Sequence, residues 1–374
     1  MIKIIISENE KERRLDRFLK KYLKNMPLSG IYKLLRKDVK INGKREKANY
    51  LLKLGDVVTI YMQEERFADL TAAPDKSVTK NRRFKIVYED DNILAVGKPS
   101  GLLTHGDSQE KKNTLTNQVV GYLIDKGEYD LKREKIFTPA PVNRLDRNTT
   151  GIVIFGKNSM ALRELNANWD SVEKYYLTIV SGIPEKGLLT GRLKKDEQKN
   201  KVKVFDLGLF ENSFTEPDIF GNQIYAEKVC AISKKASEDS CFKNEKENLD
   251  IKSENGESKY IKTFVNPVKV NKSGSASLVE IRLDTGRSHQ IRAHLAAAGC
   301  PLIGDSKYGE VCIGKRMGIS SQMLHAYKVK FKIEGGELEY LNGKRIVLEP
   351  PKKFRDIQKK LDCENSETYV SGRY

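Results

Sequence analysis

Histidine and cysteine are scarce in this chain, and neither is grouped. Its 374 residues include four histidines and five cysteines. The cysteines, Cys230, Cys241, Cys300, Cys312 and Cys363, form no C-x-x-C pair. Their odd number speaks against a disulfide framework or a zinc site. His289 and His294 are five apart, which does not place both on one helical face, and His105 and His325 stand elsewhere. The expectation is that no metal is bound. Long apolar runs are missing too. Nothing approaches the ~18–20 residues of a membrane helix, and the opening MIKIIISENEKERR lacks the apolar stretch and cleavage site of a secretory signal. A cytoplasmic protein without a membrane partner is expected. Also absent are the G-x-x-x-x-G-K-[ST] phosphate loop, the G-x-G-x-x-G fingerprint and the G-x-S-x-G elbow. Nucleotide hydrolysis, dinucleotide redox and serine-hydrolase chemistry are disfavoured accordingly.

Positive charge is abundant. Sixty-eight Lys and Arg face fifty-one Asp and Glu, a net +17, so a polyanion is the first partner to consider. Hydrophobic residues at 39% suffice for a real core, and the length suggests two or three folded units. Residues 1–62 hold sixteen Lys and Arg against seven Asp and Glu, over half of the excess. Leu15, Phe18, Leu19, Tyr22, Leu23 and Met26 follow helical spacing. Pro27 ends that helix, and Ser29 is the expected N-cap of a second helix carrying Ile31, Leu34 and Leu35. Val39 to Lys44 reads as a strand entering an Asn42-Gly43 turn, and Leu54 to Tyr61 as a turn and a closing strand. The cations lie off the apolar stripe. Such a face either docks on phosphates or is an ordinary solvated surface; few acids interleave it, which favours phosphates.

This segment resembles the S-four-type (alpha-L) RNA-binding module. The resemblance rests on Arg14-Leu15-Asp16-Arg17, then Lys37 to Lys44 with its V-x-I-N-G-K turn, then Leu54-Gly55-Asp56. It implies a grip on structured RNA, with Arg14, Arg17, Lys37, Lys40 and Lys44 as the RNA-binding residues. Residues 63–82 are polar and without apolar period, so a linker is expected. A second unit, 83–350, opens with two strands joined by an acidic turn in Phe84 to Val96. Further strands are expected at Gly151–Gly156, Tyr175–Val180 and Leu278–Leu283, and a helix from His289 to Ala298 that stops at Gly299. The stretch 233–262 is rich in Lys, Glu, Ser and Asn and reads as a surface insertion or mobile loop. The tail, 351–374, is polar and expected to fray.

One loop could carry chemistry: Asn143-Arg144-Leu145-Asp146-Arg147-Asn148-Thr149-Thr150-Gly151. Cations on either side of Asp146 would keep it ionised, as a nucleophile or base requires. The same residues also suit a plain turn capped by Asp. The loop resembles the H-R-L-D-x-x-T-S-G signature of the RluA-type pseudouridine synthases. Three further stretches agree in order: Lys98-Pro99-Ser100-Gly101-Leu102, Lys174 to Gly182, and Leu283-Asp284-Thr285-Gly286-Arg287-Ser288-His289-Gln290-Ile291-Arg292 running on to Gly304-Asp305-Ser306-Lys307-Tyr308-Gly309. Leu324-His325-Ala326 follows where that family has an L-H-A strand. Asn143 replaces the family's usual His, and Thr150 its Ser.

The resemblance implies an α+β chain: a small helical and hairpin RNA-binding domain, then a mixed, mainly antiparallel β-sheet catalytic domain with flanking helices. It implies isomerisation of uridine to pseudouridine in structured RNA, most of all large-subunit ribosomal RNA, with the base flipped out of its stack. Asp146 matches the catalytic aspartate, Tyr176 the active-site tyrosine and Arg287 the arginine paired with the aspartate. Arg144 and Arg147 would contact the RNA around the extracted nucleotide, and Leu324 would pack at the site. Read as residues alone, Tyr176 fits a strand-core tyrosine and Arg287 a phosphate contact. The reaction adds and removes nothing, so no cofactor is expected; no obligatory protein partner is evident and a monomer is expected. Two other readings stand beside this one: a catalytically silent RNA-binding or ribosome-assembly factor, and a uracil-releasing glycosylase, although hydrolytic glycosidases need two carboxylates.

Overall fold

The computed structural model describes residues 1–72, 81–131, 134, 136–196, 201–210, 252–253, 256–309, 314 and 318–363. They fall into two compact units. The first comprises 1–147, 152–171 and 331–346; the second comprises 148–151, 172–330 and the described residues from 347 onward.

In the first unit, strands β1 (Ile2–Ile5), β2 (Val39–Ile41) and β3 (Val57–Ile60) form an antiparallel sheet in the order β1-β3-β2. Helices α1 (Leu15–Tyr22) and α2 (Leu28–Lys37) pack on it through the expected stripe: Leu15, Phe18, Leu19, Leu23 and Ile31 are at most 1% exposed. Asn42 and Gly43 take positive φ (51° and 82°) and make the expected turn, yet its only ladder contact is the Ile41–Lys44 bridge; β2 pairs with β3 instead. Ser29 does not cap α2. The helix starts at Leu28 directly after Pro27, whose ring fixes the φ of an extended entry.

The expected linker carries helix α3 (Glu64–Thr71), whose Phe67 and Leu70 pack on the same core. Three apolar residues in eight, one of them alanine, were too few to show a period. Ile136, distant in sequence, also belongs to this core, so residues 1–62 do not close it alone. Next come the antiparallel pair β4 (Lys85–Glu89) and β5 (Ile93–Lys98), with Asp90 accepting from the backbone of Asn92 and Ile93 in the acidic turn. Helix α4 (Leu115–Asp125) is capped by Thr114. Strand β6 (Ala140–Pro141) pairs with β7 (Thr150–Gly156), whose Ile152 to Phe155 are wholly buried. Helix α5 (Ser159–Asn168), capped by Asn158, follows.

The second unit is built on strands β8 (Glu173–Ser181), β9 (Gly187–Asp196), β10 (Lys201–Phe210), β13 (Lys259–Val270), β14 (Ala276–Leu283) and β15 (Leu324–Lys330), in the order β10-β9-β13-β14-β8-β15. Every neighbour on that path is antiparallel. The start of β7 runs parallel to β15, which makes the sheet mixed but mainly antiparallel, as expected. Helix α6 (Gln290–Ala297) ends before Gly299, at φ +79°. Most of the expected 233–262 insertion lies outside the described residues. Its described part is a two-stranded ladder, β11 (Lys252–Ser253) with β12 (Gly256–Glu257), and the first residues of β13, so ordered strand begins before Lys262. A short strand, β16 (Arg345–Val347), precedes the tail. The described part of the tail does not fray but forms α7 (Lys352–Cys363), and 364–374 lie outside the described residues. Its Phe354 and Ile357 are 4% and 5% exposed in a cluster with Tyr175, Leu177 and Tyr327. Among the described residues no helix is long and apolar enough to cross a membrane.

Candidate active site

The loop around Asp146 is pinned on both sides of the carboxylate. Asn143 stands where backbone would otherwise pair with β7: its Nδ2 donates to the Ile152 carbonyl (3.1 Å) and its Oδ1 accepts from the Ile154 N–H (2.9 Å). Leu145 turns inward, 7% exposed. Its N–H donates to Thr104 Oγ1 (3.2 Å), and the Thr104 hydroxyl donates to its carbonyl (3.0 Å). The Arg147 carbonyl accepts from the Gly101 N–H (2.9 Å) and from Lys98 Nζ (2.9 Å). Asp146 is thus half-buried between two backbone positions that are each held from the Lys98–Thr104 segment.

Lys98 was not singled out from sequence. It is 1% exposed, and its ammonium donates to the carbonyls of Pro99 (3.0 Å), Leu102 (2.7 Å) and Arg147. Burial drives its pKa down to about 7, against the pull of the Asp146 carboxylate and with the repulsion of Arg83. The coulombic partner that raises the Lys98 pKa is thus the loop's own carboxylate, Asp146. Arg144 and Arg147 are exposed. Arg144, second to burial, lowers the pKa of His105; Arg147 acts on the carboxyls of Asp107 and Glu110, which backbone N–H groups chiefly hold low.

The rest of the loop, 148–151, belongs to the second unit. Thr150 and Gly151 lie opposite His325 and Ala326 in the parallel pairing with β15. Gly151 sits at φ +126°, and a Cβ there would lie 2.3 Å from the Ala326 carbonyl oxygen, so only glycine fits. The Thr150 hydroxyl is 2.8 Å from His325 Nδ1, and His325 Nε2 is 3.0 Å from the Leu348 carbonyl. The carbonyl can only accept, so Nε2 carries the proton and Nδ1 accepts from Thr150. Burial pushes His325 to about 4, which keeps it neutral. The hydroxyl retained at Thr150 is therefore in use. Gln322 Nε2 reaches Thr149 Oγ1 at 3.4 Å.

Tyr176 lies on β8 between Ile281 of β14 and Ala326 of β15. It is half-buried and packs on a cluster that includes Leu324, Ile281, Leu283 and Ile291. The structure thus joins Tyr176 and Leu324 in one apolar patch. Arg287 is exposed on the turn before α6. Its backbone is fixed by Gln290: Oε1 accepts from the Arg287 N–H (3.1 Å) and the Thr285 hydroxyl (3.0 Å), while Nε2 donates to the Lys262 carbonyl and Thr263 Oγ1. Further along, Arg292 and Asp305 form a buried two-pronged pair (2.6 and 2.8 Å). Asp305 also accepts from the N–H groups of Lys307 and Tyr308. The G-D-x-x-Y-G stretch is a clamp on α6. Bracing of this kind depends on partners that sequence does not pair.

Beside the three-stranded sheet, Arg14 donates to Asp16 through two bonds (3.1 and 2.7 Å), which brace the start of α1, and its side chain stays 43% exposed. Arg17, Lys37 and Lys44 are exposed. The Lys40 ammonium lies 5.4 Å from the ring centre of Tyr61.

The family described as RNA pseudouridylate synthase matches residues 92–297, a span that takes in Asp146, Tyr176 and Arg287. A Mycoplasma capricolum protein named as an uncharacterized RNA pseudouridine synthase is 31% identical over 357 residues, covering 94% of this chain and 98% of that protein. Ribosomal large subunit pseudouridine synthase C of Vibrio vulnificus is 30% identical over 334 residues, 87% of each chain. The protein of the same name from Haemophilus influenzae is 30% identical over 338 residues, 88% of this chain and 86% of that one.

Proposed function

This chain belongs to the RNA pseudouridylate synthase family, and we propose that it isomerises specific uridines of large-subunit ribosomal RNA with Asp146 as the catalytic carboxylate. Isomerisation breaks the bond from N1 of uracil to C1′ of ribose and forms one from C5 to C1′; C5 gives up a proton and N1 gains one. The target base leaves its stack, because ring and C1′ are shielded within it. Arg144 and Arg147, exposed beside the loop, take the phosphates around the vacated position. Asp146 attacks the sugar or ring, or draws a proton from the sugar. Arg287 pairs with the carboxylate and aims it. Tyr176 offers its ring to the uracil and its hydroxyl as a proton carrier, with Leu324 packed beneath. Catalysis needs the carboxylate within a fraction of an ångström of its position.

The observation that carries this reading is the immobilised backbone on either side of Asp146, held by Thr104 at Leu145 and by Gly101 and Lys98 at Arg147. A loop that merely turns the chain has no need of a buried ammonium on it. Asn143, the departure that supports a silent scaffold, is absorbed by its two bonds to β7. Chemical mapping of pseudouridine in total RNA tests the proposal. Defined large-subunit positions lose pseudouridine when the gene is deleted and regain it with the wild-type gene but not with Asp146→Asn. Retention of every pseudouridine in both strains refutes it, and free uracil in the reaction supernatant would make the protein a glycosylase.

A further inference from the structure

One open cleft of the first unit takes no part in the site above. It measures about 650 Å3 and is walled by Arg13, Lys21 and Lys24 from the α1 segment and by Arg163 of α5. Its floor includes Ile136 and Phe137, each 4% exposed. No carboxylate is among the described residues that line it. Acids also act from outside the lining, among them Glu12, which pairs with Arg163 at 3.1 Å with side chains 68% and 43% exposed, and Glu10, which bears on Arg13. Burial, and then repulsion from Arg163, hold the Arg13 guanidinium below its ordinary value. Glu12 offsets part of the Arg163 charge, but an exposed pair is held weakly and can open to a phosphate. Gathering four cations around one hollow costs folding energy through self-repulsion, and a bound polyanion removes that cost.

The position of the cleft is as telling as its charge. One wall belongs to the basic N-terminal segment, the other to the helix that follows β7. The floor chain passes from Ile136 through β6 directly into Asn143–Arg147. Ile136 also completes the core under α1 and α2, so the basic helix and the approach to the Asp146 loop share one packing contact.

We propose that this cleft holds the sugar–phosphate backbone of the substrate RNA beside the catalytic loop. The proposal rests on the pseudouridine synthase reading for the identity of the RNA. Four cations spread over two elements suit successive phosphates of one strand better than a single small anion. The contact is blind to sequence: it fixes where the RNA lies, and the choice of uridine is made elsewhere.

The test is filter binding of a full-length large-subunit ribosomal RNA transcript by the whole chain, across about 50 to 200 mM salt. The triple variant Lys21→Gln, Lys24→Gln, Arg163→Gln is compared with wild type. Each lost phosphate contact lowers the slope of log affinity against log salt by about 0.7 to 0.9. A slope shallower by about 2, with Kd raised at least about tenfold at low salt, is expected for three. Lysine acetylation of the unsubstituted protein gives a second readout, since Lys21 and Lys24 are exposed and become protected when the RNA binds. A slope within about 0.5 of wild type, or undiminished reactivity of both lysines, overturns the proposal. So does selective displacement of the RNA by inorganic phosphate at matched ionic strength, which would make the cleft a single-anion site. Binding is read without turnover. A chain that passes these tests but forms no pseudouridine loses its catalytic reading and keeps its cleft, and the reverse outcome sinks the cleft alone.

Discussion

Replacing Lys98 by Met keeps the length of the side chain and removes its charge and three donors. Three N–H···O=C bonds disappear, at 3.0, 2.7 and 2.9 Å. The Arg147 carbonyl keeps the Gly101 N–H, so the loss falls on Pro99 and Leu102. Each carbonyl left unsatisfied in the interior costs about 1–3 kcal/mol. Removing a desolvated ammonium offsets part of this. The net expectation is a loss of about 2–4 kcal/mol. Urea unfolding followed through Trp169, the sole tryptophan and a member of the same unit, measures it. The pH dependence has a definite sign. Folded Lys98 releases its proton near pH 7, whereas the unfolded chain keeps it to about 10.5. Between those values the unfolded state binds more protons, so wild-type stability gains with rising pH, by at most about 1.4 kcal/mol per pH unit. Methionine lacks this gain, and the variant's deficit widens from pH 7 upward and is level below it. Loosening Arg147 also displaces Asp146, and a shift of about 1 Å lowers kcat about a hundredfold. A variant within about 0.5 kcal/mol of wild type, or a deficit that stays level from pH 7 to 10, refutes the role given to Lys98.

Other consequences follow from the same contacts. Asn143→Ala removes both bonds to β7 and should cost about 2–3 kcal/mol with a matching fall in kcat; unchanged melting and turnover would show the amide to be idle. His325, held near pH 4 by burial against 6.5 in the unfolded chain, contributes stability that is complete above pH 6.5 and lost as pH falls toward 4, at most about 3 kcal/mol. Titration of its imidazole by NMR checks this, and a midpoint near 6.5 would contradict it. Arg292→Met strands buried Asp305 and should cost about 3–5 kcal/mol, whereas Arg287→Met, at an exposed position, should leave the melting temperature nearly unchanged and abolish turnover. Equal destabilisation by the two would mean that Arg287 is a structural arginine.

What sequence could reveal divides along a physical line. Local patterns carried through: the α1 stripe, the acidic turn at Asp90, the buried run Ile152–Phe155 and the stop at Gly299 are each set by residues within a few positions. Asp146 stood out as a candidate because a carboxylate between arginines in a turn is chemically odd even before any family is considered. Lys98 was not, since what makes it unusual is burial among three carbonyls, one of them 49 residues away in sequence. Arg14 shows the opposite: its charge counts toward the basic face, while its two bonds to Asp16, two residues on, are a geometry that charge counting does not show. Helix α7 hid behind its lysines, because Phe354 and Ile357 are enough to dock a helix when a cluster of aromatic and aliphatic side chains already waits for them. The same reasoning bears on the long motif from Leu283 to Gly309. Its length invites a catalytic reading throughout. Yet Gln290 fixes a backbone, and Arg292 and Asp305 brace a helix. Within this motif Arg287 combines a charge, an exposed side chain and a backbone held still by Gln290, a different setting from that of buried Arg292, and the contrast between the two Met variants is the measure of whether it meets substrate.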